Sequence, residues 1–185
     1  MTPNRIIAWY AATIFLSSAL LLALEIVAGR LIAPFVGVSL YTWTAVIGVV
    51  LAGLSVGNWL GGVWADRGAG EGTAGVVLLG SALSCVVIPL LLAWVAPAIQ
   101  ASTLSLLSAS LLLVLALFML PALLLGVVTP LLTTLALKLS DRTGHVVGLL
   151  HALAALGSIV GTFAAGYWLI PALGSRALVL GTALM

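Results

Sequence analysis

Residues 103–137 read TLSLLSASLLLVLALFMLPALLLGVVTPLLTTLAL, thirty-five positions without one charged side chain. An α-helix rises about 1.5 Å per residue and the hydrocarbon core of a bilayer is about 30 Å thick, so about 20 apolar residues make one crossing. The stretch is therefore too long for one straight crossing and short for two. Pro121 and Pro130 interrupt it, and a proline inside a helix removes a donor and kinks the rod. The pattern predicts one span bent at Pro121, followed by an amphipathic or tilted extension.

The rest of the chain has the same character. Of 185 residues 64% are hydrophobic and 5% charged, with a mean hydropathy of +1.38. A soluble domain carries about 25% charged residues, so this composition excludes one, and it excludes a disordered chain. Six cations against four acids leave a net charge of +2, too dispersed for a basic patch, so nucleic acid is not an expected partner. The single cysteine, Cys85, lies in an apolar run, which leaves no disulfide framework and no thiolate metal site. The expected class is an all-α, polytopic transmembrane bundle forming a single domain over residues 1–185.

Working outward, the spans fall at about 6–31, 40–64, 74–95, 103–137, 146–170 and an incomplete 176–185. The first is too long for the apolar core of a signal peptide. Ala33-Pro34-Phe35-Val36-Gly37 is expected to end it, because the residue before a proline avoids helix. The ten residues from Arg176 to Met185 cannot cross a bilayer, so the chain reads as stopping within a sixth helix. No internal repeat stands out. Cytoplasmic loops are enriched in Lys and Arg. An N-terminus inside places Arg5, Arg67, Lys138 and Arg142 on that side, against Arg30 and Arg176 outside. Trp9, Tyr10, Trp59 and Trp64 then mark the inner interface, and Phe35, Tyr41, Trp43, Trp94, Tyr167 and Trp168 the outer one.

Polar residues inside apolar helices are the candidate sites. A carboxylate at membrane depth costs about 2.5–3.5 kcal/mol on insertion scales and is commonly functional or paired. Glu25 is such a residue, about 27 Å along the first helix if counted from Ile7. It reads either as a cation or proton site, or as a structural partner of Arg30, or as a carboxylate reaching the outer interface. Five residues turn a helix by about 140° beyond a full circle, so Glu25 and Arg30 do not face one another unless the helix unwinds. Asn58 needs hydrogen-bond partners in lipid surroundings, from another helix or from a substrate. His151 is a packing histidine or one end of a proton path with Glu25. His145, six residues earlier, lies on another face, so no metal pair is expected.

Gly53, Gly57 and Gly61 in the second span, and Gly157, Gly161 and Gly166 in the fifth, mark helix faces where a second backbone approaches closely. They pack within the chain, or they face a second copy or another membrane subunit. Neither a Gly-rich dinucleotide loop with its acid, a Walker loop nor HExxH occurs. No active site, metal or cofactor is expected in these residues.

Two stretches carry a family resemblance. Glu25-Ile26-Val27-Ala28-Gly29-Arg30-Leu31-Ile32-Ala33-Pro34-Phe35-Val36-Gly37-Val38-Ser39-Leu40-Tyr41-Thr42-Trp43-Thr44, running on to Gly61-Gly62-Val63-Trp64-Ala65-Asp66-Arg67, resembles the membrane domain of spermidine synthase-like proteins. So does Gly148 to Phe163, continuing through Ile170-Pro171-Ala172-Leu173-Gly174. In that family a hydrophobic N-terminal domain precedes a soluble aminopropyltransferase domain. Such membrane domains are in turn similar to half of a major facilitator transporter. Gly62 to Arg67 looks like the start of that superfamily's loop motif, which would give Asp66 and Arg67 a gating role. The sequence then departs, with Ala69 in place of a glycine and Gly70 and Glu71 in place of basic residues.

The resemblance implies a membrane domain, in a bacterial inner membrane, that anchors or feeds a cytoplasmic aminopropyltransferase domain. Such an enzyme would lie beyond Met185. Two alternatives stand beside it. One is a non-catalytic subunit of a larger membrane complex, held by the glycine faces. The other is a dimeric half-size carrier of a cationic substrate such as a polyamine. Membrane lipid, and either another subunit or a second copy, are the expected partners.

Overall fold

The computed structural model describes residues 2–182, without the side chains of Arg176, Leu178 and Thr182. Positions 183–185 of the expected sixth span lie outside the described residues. The elements are α1 (Pro3–Val36), α2 (Leu40–Asp66), α3 (Glu71–Gln100), α4 (Leu106–Leu137) and α5 (Thr143–Phe163). A π-helical segment (Ala164–Leu169) carries α5 into α6 (Ile170–Leu173), and α7 (Ser175–Thr182) follows. No strand occurs among the described residues. Five segments, α1 to α4 and the continuous run Thr143–Leu173, are long and apolar enough to cross a membrane. Their outer faces are apolar too. Val76, Leu79, Leu83, Leu90 and Trp94 form an exposed stripe along α3, a surface suited to lipid and unsuited to water.

Several helix ends differ from the sequence expectation. α1 runs through Pro34 to Val36. A proline in the last turn deletes one hydrogen bond only, and the turn still closes through Gly37 N–H on the Ala33 carbonyl at 2.8 Å. The chain reverses at Gly37, whose φ of 75° suits glycine. Ser39 then caps α2, its Oγ accepting from Thr42 N–H at 3.2 Å. α3 likewise continues through Pro97 to Gln100 instead of ending near Val95. Residues 106–137 form one helix with both prolines inside it. At about 48 Å that helix exceeds a 30 Å core and suits a tilted crossing. The π-helical turns precede Pro171. Its ring withholds the N–H that would bond the carbonyl of Tyr167, four residues back, and a wider turn accommodates the loss.

Helix α4 is the centre of the bundle. Both hydrophobic cores draw on it, one through Leu113, Leu117 and Phe118, the other through Val127, Val128 and Leu131. Around it the packing repeats one device twice. On α2, a Cβ at Gly57 would collide with the carbonyl oxygen of Leu123, and one at Gly61 would lie 2.5 Å from that of Val127. On α5, a Cβ at Gly157 would collide with the carbonyl of Phe15, and one at Gly161 with that of Ala19. In each pair the contacting numbers rise together by four. α2 therefore runs parallel to α4, and α5 parallel to α1. Only glycine lets backbones sit this close, and closeness raises dispersion contact where lipid supplies no hydrophobic drive. α3 covers the outside of α4, and α7 touches α1 and α3.

Candidate functional site

Between the two seated pairs lies a cleft of about 520 Å³, bounded by α1, α2, α4 and α5. The glycine seats explain which side chains reach it. Gly57 and Gly157 fix the rotation of their helices against α4 and α1. The next residue in each, Asn58 and Ser158, is turned by about 100° onto the cleft wall. α4 adds Thr129, Thr133 and Thr134, α1 adds Ser18, and α5 adds His151. Leucines 21, 22 and 54 supply apolar wall. Asn58 and His151 remain exposed, so the cleft is open to the outside.

The hydrogen bonds define what the cleft offers. Hydroxyls in apolar helices usually bond back to a carbonyl three or four residues earlier. Thr134 does so, donating to the Pro130 carbonyl at 2.9 Å, which leaves its oxygen only lone pairs for a ligand. Thr133 does not. It is 8% exposed and its Oγ1 is buried without a hydrogen-bond partner, a condition that costs about 1–3 kcal/mol. His151 Nδ1 lies 3.0 Å from the Val147 carbonyl. A carbonyl only accepts, so Nδ1 carries the proton, and in the neutral ring Nε2 is left as an acceptor. The amide of Asn58 has no partner among the described residues. The cleft is thus lined by no Asp, Glu, Lys or Arg and is rich in lone pairs.

Asn58 and His151 are the two sequence candidates that the fold brings together. Glu25 is half-buried and forms no ion pair among the described residues, with Arg30 or any other. Ser18, Leu21, Leu22 and Glu25 share one stripe of α1 by their spacing, which sets Glu25 about 10 Å beyond Ser18 along the helix, past the residues that line the cleft. Arg30 is elsewhere, in a recess with Pro34, Phe35 and Leu92. Asp66 and Arg67 are exposed at the end of α2, away from the cleft. His145 belongs to a separate recess with Asp141 and Arg142. Five of the six glycines lie against helices of the same chain, whereas Gly166 has nothing within 4 Å of where its Cβ would stand. No group of three metal-ligating side chains occurs among the described residues.

The sequence reading passed over one contact. The hydroxyl of Tyr10 donates a hydrogen bond to Oε1 of Glu71, joining the N-terminal part of α1 to the first turn of α3 across 61 positions. Neither residue has a spacing signal that would have linked them. Compared with protein-family models, with curated proteins and with solved structures, the chain finds no match.

Proposed function

We propose that this chain is the membrane domain of a spermidine synthase-like protein, built like half of a facilitator, and that its cleft holds a small cationic amine such as a polyamine end. The resemblance of residues 25–44 and 148–174 supplies the family, and the cleft supplies the role. One observation carries the reading: Asn58, Thr133, Thr134 and His151 converge on a space of about 520 Å³ and leave acceptor atoms uncommitted. An ammonium group brings three donors and no acceptor, and the Glu25 carboxyl stands on the same α1 stripe as Ser18. The parallel pairing of α1 with α5 and of α2 with α4 supports alternating crossings. The distribution of Lys and Arg supports a cytoplasmic N-terminus and the six-span arrangement. On this reading the domain anchors, or feeds, a cytoplasmic aminopropyltransferase domain.

The open side of the cleft favours a second reading, a carrier whose site is completed by a second copy. The third reading, a subunit held to a complex by its glycine faces, draws less support, because α4 and α1 of the same chain occupy five of those six glycines and only Gly166 is left open. The test is binding and uptake of labelled spermidine in proteoliposomes. Asn58→Ala should weaken binding about tenfold, the worth of one hydrogen bond to a charged group, and Glu25→Gln should abolish uptake. Wild-type affinity and uptake in both variants would sink the reading.

A further inference from the structure

A groove of about 440 Å³ runs between the first turns of α1 and α3, away from the cleft. Its walls are Ile6, Trp9 and Thr13 on one side and Ala74, Gly75 and Leu78 on the other. Nothing lies within 4 Å of where a Cβ on Gly75 would stand, so the missing side chain leaves a slot. At the mouth stands Glu71, with one carboxylate oxygen accepting from Tyr10 and the other without a partner among the described residues. Glu71 and Trp9 are both exposed, Trp9 by 64% of its surface. Arg5 lies one turn before Trp9 on the same stripe of α1 and is exposed. No cation stands within ion-pair distance of Glu71 among the described residues.

We propose that this groove is a binding site for an ethanolamine phospholipid. The apolar walls and the slot at Gly75 suit an acyl chain. Trp9 has the character of a side chain at the membrane–water interface. The two charges match the two halves of the headgroup, Arg5 for the phosphate and Glu71 for the ammonium. A primary ammonium gives the free carboxylate oxygen an N–H donor, whereas the quaternary nitrogen of choline has none. Phosphatidylglycerol offers no cation at all. The site therefore reads the headgroup by hydrogen bonding to one acid, and it rests on the reading of the chain as membrane-embedded.

The experiment is native mass spectrometry of the full chain purified from nanodiscs holding equal amounts of phosphatidylethanolamine, phosphatidylcholine and phosphatidylglycerol with identical acyl chains. Wild type should retain ethanolamine lipid about fivefold over choline lipid, equivalent to about 1 kcal/mol. Glu71→Gln keeps an acceptor for Tyr10 and should bring the two to parity. Gly75→Leu should lower all three, and Arg5→Gln should lower ethanolamine and choline lipid alike without changing their ratio. Equal retention by wild type, a preference for phosphatidylglycerol, or a preference that survives Glu71→Gln would overturn the site. Alkaline carbonate extraction of the starting membranes separates the two failures. A chain that stays in the pellet yet shows no headgroup preference loses only this site, and a chain that is released loses the membrane reading itself.

Discussion

The two seated pairs and the cleft between them obey opposite rules. Within each pair glycine removes every atom between two backbones: α2 rests on Leu123 and Val127, and α5 on Phe15 and Ala19. Across the cleft the same four helices keep apart and turn polar atoms toward each other, one of them an unpartnered buried hydroxyl. The pairs are not equal either. α2 carries three seated glycines, and Gly126 of α4 answers them, its missing Cβ facing the carbonyl of Leu54 at 2.9 Å. α5 carries two, and its regular winding ends at Phe163, where the π segment begins. The difference teaches that rigidity is concentrated in α2–α4, and that α5 is the wall of the cleft with more freedom to move.

That comparison fails at once if its largest consequence fails. Gly57→Leu puts a branched side chain where a carbonyl already is, and neither rotamer choice nor a small shift relieves a clash with backbone. We expect a loss of more than about 4 kcal/mol, seen as no monodisperse protein in detergent. Gly161→Leu should cost less, about 3 kcal/mol, because α5 can lean away from α1 with fewer seats to break. Melting curves of both variants measure the order. A larger loss at Gly161 would make α1–α5 the tighter pair and reverse the assignment of the mobile wall. The cleft should respond with the opposite sign. Thr133→Val exchanges an unpartnered hydroxyl for a methyl group of the same shape, which should stabilise the ligand-free protein by up to about 1 kcal/mol. A melting point raised by a few degrees, together with weaker spermidine binding, is the expected pair of results. A lowered melting point would mean that the hydroxyl already has a partner, and would remove it from the binding set.

Much of the architecture is legible in the sequence because lipid demands long apolar runs and punishes charges within them. The five long apolar helices lie where those runs lie, and the ends that shift furthest are those at Pro34 and Pro97, where a proline in a final turn deletes a single bond. The pairing is not legible. The glycines at Gly57, Gly61, Gly157 and Gly161 each face a carbonyl oxygen, which every residue owns; nothing marks Leu123 or Phe15 as a receiver. The repeat of the device therefore shows only once the helices are placed. The site divides in the same way. Asn58 and His151 stand out as polar residues in apolar runs, whereas Thr129, Thr133 and Ser18 do not, since most membrane hydroxyls are absorbed by their own helix. Thr134 and Thr133 are neighbours of identical chemistry, and only the hydrogen bonds tell them apart.

The smallest expected effect is the sharpest discriminator. Gly166 continues the glycine series of α5 by sequence, yet it is exposed in the π segment with open space beside it. Gly166→Ala should therefore leave stability within about 0.5 kcal/mol, with helix propensity favouring alanine. The same substitution at Gly161 meets the backbone of Ala19 and should be felt. If purified single chains tolerate Gly166→Ala while the protein in native membranes loses a second copy on crosslinking, the gap at Gly166 is a seat filled from outside, made by the same rule as the five inside. If both preparations ignore the change, glycine at this position follows from the local winding before Pro171, and the glycine device belongs to the inside of the chain alone.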